Sequence, residues 1–255
     1  MPQEFVRDAI LQAARRLPGY PRLSILDLSC GRGEILAALA RDGCRVRATH
    51  YRGDDYKLTQ GPAPLETAGL SIPIDPDVDL LCALPYAAES FDVLILSEVL
   101  EHLPSQATVL AEAGRILRPG GRLILSTPNI ARLHSRWHFF WTGTHKLIRR
   151  RVGWDLWPDA LYAYHTNPVD FPLLHTLLHQ AGLSVERLDF TRFKAKHAWL
   201  LVFYPLVWLA TRVETSRRRT GDAHARGERD LFHWMTRPAM LASEQLLLTA
   251  RKAGP

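Results

Sequence analysis

A strand–glycine–helix sequence near the N-terminus constrains the fold more than any other part of this chain. Residues 24–28 are mostly apolar and predict a buried parallel strand, and apolar residues at helical spacing follow over 35–39. Gly31 and Gly33 separate the two elements and would let main-chain N–H groups approach a ligand without an intervening Cβ. Asp27, near the strand end, adds a carboxylate where a cationic group could bind. The sequence therefore predicts a strand–loop–helix unit that binds a ligand.

Two common ligand classes do not match this loop. The dinucleotide-binding fingerprint needs a third glycine three residues after the second, and that position is Leu36. The phosphate-binding P-loop needs a Gly-Lys-Ser/Thr sequence, which the loop lacks. For this stretch taken alone, a tight structural turn without a ligand is the alternative.

Further strands and helices follow in alternation. Residues 45–51 alternate like a second strand, and 91–96 form a continuous apolar run typical of a central strand buried on both faces. A helix that starts near Ser105 is broken by Pro-Gly-Gly at 119–121, before another strand at 122–127. This order predicts an α/β fold, in which ligands bind outside the carboxyl ends of the strands.

Two stretches predict loops rather than regular structure. Residues 57–78 carry scattered prolines and no long periodicity, apart from a short strand at 70–74. Residues 215–230 are charged and poor in apolar groups, so we expect a loop there as well.

Five segments, in the expected order, resemble the class I S-adenosylmethionine (SAM)-dependent methyltransferases. Asp-Leu-Ser-Cys-Gly-Arg-Gly at 27–33 resembles the first motif of that family, usually Asp-x-Gly-x-Gly-x-Gly. The further matches are an Asp-Leu…Leu-Pro-Tyr…Ser-Phe-Asp segment at 79–92, Glu-Val-Leu-Glu-His at 98–102, Arg-x-Leu-Arg-Pro-Gly-Gly at 115–121 and Ser-Thr-Pro-Asn at 126–129. Ordered matches over about a hundred residues are far harder to obtain by chance than one glycine loop.

The resemblance implies the overall fold. We expect an α/β, Rossmann-like architecture: a seven-stranded, mostly parallel sheet with an antiparallel last strand and helices on both faces. Residues 183–190 and 245–252 resemble the last two strands of the family. The chain is then one methyltransferase domain over residues 1–255, with an aromatic and basic insertion at 191–244.

The resemblance also implies SAM as the cofactor and assigns residues to its site. An acidic residue near the end of the second strand usually holds the ribose hydroxyls, but here His50 occupies that position, with Asp54 and Asp55 close behind. Either an aspartate takes over that role, or His50 makes a weaker contact, or all three are solvated loop residues. The predicted cofactor-binding residues are Asp27, Leu28, Ser29, Cys30, Gly31, Gly33, His50, Asp79, Leu80, Ser97 and Glu98.

Two histidines are candidate catalytic bases. Methyl transfer is an in-line displacement in which the protein mainly aligns the nucleophile with the methyl carbon. A hydroxyl nucleophile benefits further from a base, and a neutral imidazole titrates near working pH. His102 is the first candidate and His165 the second, with orienting or packing roles as the alternatives. We therefore favour O-methylation of a small molecule, lipid or lipid-linked glycan over N- or C-methylation.

A metal-assisted mechanism is an alternative that we do not favour. On a helix, Glu98, Glu101 and His102 would share one face, and they resemble the Glu-x-x-Glu-His of some metal-assisted members of the family, including ubiquinone-pathway O-methyltransferases. Such a set would suit Mg²⁺. The same residues also occur in members that bind no metal, so our prediction includes no metal site.

The net charge and the cysteine content indicate which partners and which cellular compartment to expect. The formal net charge of +6 favours anionic partners, but its sign alone does not separate nucleic acid from an anionic membrane. Three cysteines without a Cys-x-x-Cys pair indicate a reducing compartment rather than a disulfide framework. The first residues lack the order of a signal peptide. We therefore expect a cytoplasmic protein.

Two segments, 137–151 and 198–219, each place aromatic residues before clustered basic residues. The uncharged part of the second, 198–210, would span about 20 Å as a helix, which is too short to cross a bilayer. Aromatic residues beside arginines suit a helix lying in the headgroup region of an anionic membrane. We predict peripheral contact with the inner membrane surface, with an active-site lid or a dimer interface as the alternatives.

Nucleic-acid methylation and a non-catalytic role are two alternative functions. Enzymes that methylate base amino groups commonly carry Asn/Asp-Pro-Pro-Tyr/Phe after the fourth strand, where this chain has 97–100, Ser-Glu-Val-Leu. We therefore do not expect nucleic acid as the substrate. A non-catalytic SAM-binding or membrane-adaptor protein is the remaining alternative, because Ser29 replaces the first motif glycine and His50 replaces the acidic residue.

Overall fold

The fold is built on one seven-stranded sheet. The computed structural model describes residues 2–28, 30–51, 65–67, 69–145, 165, 167–217 and 222–254. The strands are β1 (Ser24–Leu28), β2 (Arg45–Tyr51), β3 (Leu65–Thr67), β4 (Leu70–Ile72), β5 (Ile74–Val78), β6 (Phe91–Ser97), β7 (Leu117–Pro128), β8 (Leu183–Asp189) and β9 (Gln245–Lys252). The helices are α1 (Pro2–Arg15), α2 (Glu34–Arg41), α3 (Gln106–Ile116), α4 (Leu133–Thr142), α5 (Phe171–Gln180), α6 (Tyr204–Arg217), α7 (Asp222–Met235) and α8 (Pro238–Ala242). Short 3-10 helices cover Leu100–His102 and Ala195–Phe203.

The strand order identifies where a ligand can bind. The order across the sheet is β5-β2-β1-β6-β7-β9-β8, with β9 antiparallel to both of its neighbours. This confirms the predicted mostly parallel, Rossmann-like sheet with an antiparallel last strand. The chain runs outward from β1 to β5 on one side, and it then continues from β6 on the other. β1 and β6 therefore flank the switch point, where open α/β sheets bind their ligands.

Apolar side chains cover both faces of the sheet. On one face Ile25 packs with α1 and α2, and on the other Leu26 packs with α3 and α5. The apolar face of α1 is buried against the sheet, as Ile10 illustrates. A Cβ at Gly114 would lie 2.1 Å from the carbonyl oxygen of Ala181, so glycine allows α3 to pack closely against the end of α5.

Two loop predictions were wrong in part. The described part of 57–78 contains the hairpin β3–β4 and the strand β5, which pairs with β2. The described residues of 215–230 are helical, in the end of α6 and most of α7. The stretch predicted as an insertion holds the 3-10 helix Ala195–Phe203 followed by α6, α7 and α8.

Within the described residues, no helix combines the length and the apolar character needed to cross a membrane.

Candidate functional site

The glycine turn after β1 is open on the side of the switch point. Gly31 and Gly33 have φ values of 55° and 69°, which only glycine adopts without strain. A Cβ at Gly31 would meet no atom of the described residues within 4 Å, so the main chain there faces open space in this part of the structure. The N–H of Gly33 donates to the Cys30 carbonyl at 2.9 Å, and α2 begins at once, without a side-chain cap. An uncapped helix N-terminus of this kind can serve a ligand. Ser29 lies outside the described residues.

Asp27 is a buried carboxyl with an unused oxygen. The residue is 2% exposed, and its Oδ1 atom is buried without a hydrogen-bond partner among the residues that the structure describes. Burial raises the pKa of this carboxyl to about 7. Buried polar atoms are rarely left unpaired, so this oxygen marks a place for a donor group.

The residues around Asp27 fit the predicted cofactor. SAM offers an ammonium group and ribose hydroxyls, and each can donate to a buried carboxylate oxygen. The open side of Gly31 gives such a ligand access to the main chain. Asp27 and the turn from Cys30 to Gly33 would hold the cofactor, beside the buried Leu28.

The other predicted cofactor contacts lie at the same edge of the sheet or outside the described residues. Leu80 is buried, and Asp79 accepts from the backbone N–H of Leu81 at 2.9 Å and from the Cys82 thiol at 3.6 Å. Asp79 thus already fixes its own turn. His50 lies in β2, but the structure does not describe its side chain. Residues 54 and 55 lie outside the described residues.

Ser97 and Glu98 form a hydrogen-bonded group at the end of β6. The Ser126 hydroxyl donates to Glu98 Oε1 at 3.1 Å, so Ser97 must donate to Ser126, whose oxygen lies 3.1 Å away. Gln245 donates to Glu98 Oε2 at 3.1 Å. Glu98 has φ 56°, a conformation that costs a non-glycine residue free energy and that concentrates at functional sites.

The segment after Glu98 is not an α-helix. The chain forms only the 3-10 turn Leu100–His102. The shared helical face of Glu98, Glu101 and His102 therefore does not form, and Glu98 bonds to Ser126 and Gln245 instead. A 3-10 turn directs neighbouring side chains differently from an α-helix.

A second cluster joins Glu101, His102 and His165. Glu101 is fully buried, its Oε2 accepts from Thr127 at 2.9 Å, and its Oε1 has no hydrogen-bond partner within the described ranges. That Oε1 lies 4.0 Å from His102 Nε2. The rings of His102 and His165 meet edge to face, with their centroids 5.0 Å apart. Asn167 holds the second segment in place, because its N–H donates to the Glu101 carbonyl at 3.0 Å.

This cluster can store and transfer a proton. Burial, and then the charge of Glu98, raise the pKa of Glu101 to about 8. A carboxyl that exchanges its proton near neutral pH, next to an imidazole, suits acid–base chemistry. One ligand atom from each of the three residues also lies within 4.8 Å of the others. Two imidazoles and one carboxylate suit Zn²⁺ better than the oxygen-rich set that Mg²⁺ prefers.

The sequence identified both histidines but not their contact. His102 and His165 come from separate segments, and no local pattern joins them. The sequence indicated Glu101 only as a ligand in the metal-assisted alternative. Its burial beside Thr127 depends on the pairing of β6 with β7, which places Ser97 opposite Ser126. The Glu-x-x-Glu-His motif at 98–102 could have pointed to Glu101 as a site residue. Its contact with Thr127, in contrast, follows only from the fold.

Comparisons with known proteins agree with this geometry. Residues 26–125 match the family model described as a methyltransferase domain. A "Ubiquinone biosynthesis O-methyltransferase" of Nitrosococcus oceani is 29% identical over 193 residues, which cover 72% of this chain and 70% of that protein. A protein of the same name from Xylella fastidiosa is 33% identical over 172 residues, covering 67% of this chain and 64% of that protein. Another, from Hahella chejuensis, is 36% identical, and the match spans only 44% of its length.

Solved structures support the fold. A SAM-dependent methyltransferase from Methanosarcina mazei superimposes with a TM-score of 0.56 at 16% identity, over 96% of this chain and 98% of that one. One from Archaeoglobus fulgidus has a TM-score of 0.53 at 17% identity, over 98% of this chain and 97% of that one. At these identities the likeness concerns the architecture alone.

Proposed function

The chain is a class I SAM-dependent methyltransferase, and we propose that it methylates a hydroxyl group of a small-molecule, lipid or lipid-linked acceptor. The observation that carries the proposal is the Glu101–His102–His165 cluster at the carboxyl edge of β6. A hydroxyl must lose its proton as it attacks, whereas an amine needs less help, so a buried carboxyl behind an imidazole favours oxygen as the nucleophile.

Each part of the site has a distinct task. Bound SAM would supply the activated methyl group. Asp27 and the glycine turn bind and orient the cofactor, and orientation alone can lower such a barrier by roughly 7–11 kcal/mol. His102 accepts the hydroxyl proton. Glu101, whose Oε1 lies 4.0 Å from His102 Nε2, can take up the proton in turn, since its pKa of about 8 lies near working pH. The names of the relatives, which specify O-methyltransferases, support the same reaction class.

A pair of acceptors that differ in one atom tests this function. We expect the purified protein to transfer a labelled methyl group from SAM to a prenylated phenol and not to the matching aniline, with the product identified by mass spectrometry. Transfer to the aniline alone would contradict O-methylation. Absence of transfer to any acceptor, together with SAM binding, would favour the non-catalytic SAM-binding protein.

We also propose that the chain acts in the cytoplasm, at the inner surface of an anionic membrane. Supporting this, the described parts of the two aromatic segments pack together: Trp137 of α4 contacts Trp199 and Phe203, with ring centroids 5.3 and 5.7 Å apart. Around this contact many large apolar side chains stay exposed, a surface that we call the aromatic face. Its members are Phe139, Phe140, Trp141, Trp199, Leu201, Val202, Tyr204, Leu206, Trp208, Leu209 and Val213. Exposed patches of this kind mark interaction sites.

Removing two exposed members of the aromatic face should weaken membrane binding. Phe140 is 74% and Val202 is 73% exposed. Burying each side chain in lipid contributes about 1.5–3 kcal/mol, so Phe140→Ser with Val202→Ser should weaken co-sedimentation with phosphatidylglycerol liposomes by at least ~10-fold. Leu173→Ser, at an exposed site on α5, is the matched control and should sediment like the parent. A parent protein that stays in the supernatant would remove the membrane proposal.

A further inference from the structure

A small cleft beside the aromatic face collects positive charge. It lies where β7 and β8 end, and we call it the cationic cleft. Three cations surround one carboxylate there: Arg132 Nη1 lies 3.6 Å from Glu244 Oε1, Arg192 Nε lies 3.7 Å from Oε2, and Lys194 pairs with Oε1. Three cations against one carboxylate leave two positive charges in the group.

Arg132 is the most buried of these cations and is incompletely paired. Its side chain is 14% exposed, and its Nε atom is buried with no hydrogen-bond partner in the part of the chain that the structure describes. Burial lowers the pKa of this guanidinium. A buried cation costs free energy unless anions and acceptors compensate it. The shared Glu244 carboxylate supplies only part of that compensation, so the cleft has capacity for a second anion.

The remaining walls of the cleft suit an anion that belongs to a larger molecule. His134 and His197 stack with their ring centroids 3.7 Å apart and contribute further polar atoms to the lining. The first turn of α4, which begins after Arg132, has no side-chain cap. Leu133 and Leu200 form the apolar floor and belong to the small core beneath the aromatic face.

The cleft also adjoins the reaction site. The backbone N–H of Asn129, the residue after β7, donates to the carbonyl of Glu244 at 3.2 Å. The next residue, Gln245, donates to Glu98. A molecule held at the cleft therefore lies between the aromatic face and the edge of the sheet that carries Glu101 and His102.

We propose that the cationic cleft binds a phosphate-type group carried by the methyl acceptor. The inference rests on the proposed O-methyltransferase function. A phosphate monoester carries close to two negative charges at neutral pH, which matches the surplus of two. The enclosed volume of about 10 Å³ holds about one water molecule. The phosphate therefore binds at the mouth, between Arg192 and Lys194, whose side chains are both 40% exposed.

Titration calorimetry with inorganic pyrophosphate, without SAM or acceptor, tests the cleft. We expect the combined Arg192→Gln and Lys194→Gln variant to bind at least ~10-fold more weakly, because two of the three cations are lost. Lys196→Gln is the matched control, an exposed lysine two residues further on, and should bind within about twofold of the parent. Glu244→Gln should bind more tightly, because it removes the competing carboxylate. Thermal melting checks that each variant is folded.

The outcomes separate this inference from the proposed function. No pyrophosphate binding by the parent, an equal loss in Lys196→Gln, or no gain in Glu244→Gln would each overturn the phosphate site, even if hydroxyl methylation is observed. Pyrophosphate binding with the expected pattern supports the site, even if the acceptor test fails. Phosphatidylglycerol liposomes separate two sources of phosphate: pyrophosphate should leave sedimentation unchanged if the acceptor supplies the group. Release of the protein from the liposomes by pyrophosphate would assign the cleft to lipid headgroups and overturn its assignment to the acceptor.

Discussion

Asp27→Asn should weaken SAM binding by at least ~30-fold, because a charge-assisted hydrogen bond in a buried site contributes roughly 2 kcal/mol or more. The substitution keeps the size of the side chain and removes the charge that an ammonium or hydroxyl donor would meet. Titration calorimetry at pH 8 measures the loss, and Asp27→Ala should show it as well. An affinity close to that of the parent would contradict the assignment of this pocket to the cofactor.

The same substitution should stabilise the cofactor-free protein at alkaline pH. The folded-state pKa of Asp27 rises from 3.8 to about 7, so the native state holds its proton more tightly than the unfolded state. Between these values the native state binds more protons, and stability falls as the pH rises. At about 1.4 kcal/mol per pKa unit, the full cost at pH 8 is on the order of 4 kcal/mol. Asparagine carries no such proton and avoids that cost.

Urea denaturation at pH 4 and pH 8 checks this prediction. The free energies of unfolding of Asp27→Asn and the parent should be close at pH 4 and should diverge by about 2–4 kcal/mol at pH 8, in favour of the variant. Glu101 contributes a similar pH dependence of the free energy of unfolding to both proteins. The difference between the two proteins therefore reports the contribution of Asp27 alone. Asp8→Asn, on the exposed side of α1, is the control and should follow the parent at both pH values. A variant that is less stable than the parent at pH 8 would show that Asp27 is paired and charged in the free protein.

The centre of the fold could be predicted because its patterns are local. The continuous apolar runs of β1 and β6 mark strands buried on both faces, and both are observed. The edge of the sheet gave weaker signals. β5 contains Pro76, which argues against a central strand, but β5 lies at the edge, where a missing N–H costs little. In α7 the many charged residues predicted a loop, but one side of the helix is apolar and packs Trp234 into the core.

The sequence predicted the individual residues of the candidate site, but it did not predict which of them contact one another. Asp27 and the glycine turn follow from one short stretch of sequence. The approach of His165 to His102 depends instead on Asn167, which fastens one segment to the other. The cationic cleft likewise joins Arg132, Lys194 and Glu244, which are far apart in the chain. Such contacts follow from the order of the strands, which no local pattern specifies.

His102→Ala should lower kcat by about 10²–10⁴-fold on an unactivated hydroxyl acceptor, the usual contribution of a general base, with little change in KM. Steady-state kinetics at saturating SAM measures the loss. Glu101→Gln should lower kcat less, since it acts through His102. His165→Ala should have the smallest effect, because the proposed proton transfer runs from the acceptor to His102, and His165 only packs edge to face on the His102 ring.

The pH dependence of kcat should show whether Glu101 accepts the proton from His102. In the parent, activity should rise with pH and level off above about 8, as Glu101 loses its proton and becomes able to accept one from His102. In Glu101→Gln, which has no titrating carboxyl, the rise near pH 8 should disappear. A rise that persists would assign it to another group.

An acidic acceptor separates proton transfer from metal binding. A nitro-substituted catechol is already ionised near neutral pH and needs no base, so His102→Ala should retain most of its activity on this substrate. A protein that uses these residues as metal ligands would behave differently, because His102→Ala would then lose activity on both acceptors and a chelator would inhibit the parent. Retained activity on the nitrocatechol, together with insensitivity to the chelator, would therefore assign His102 to proton transfer from the acceptor hydroxyl.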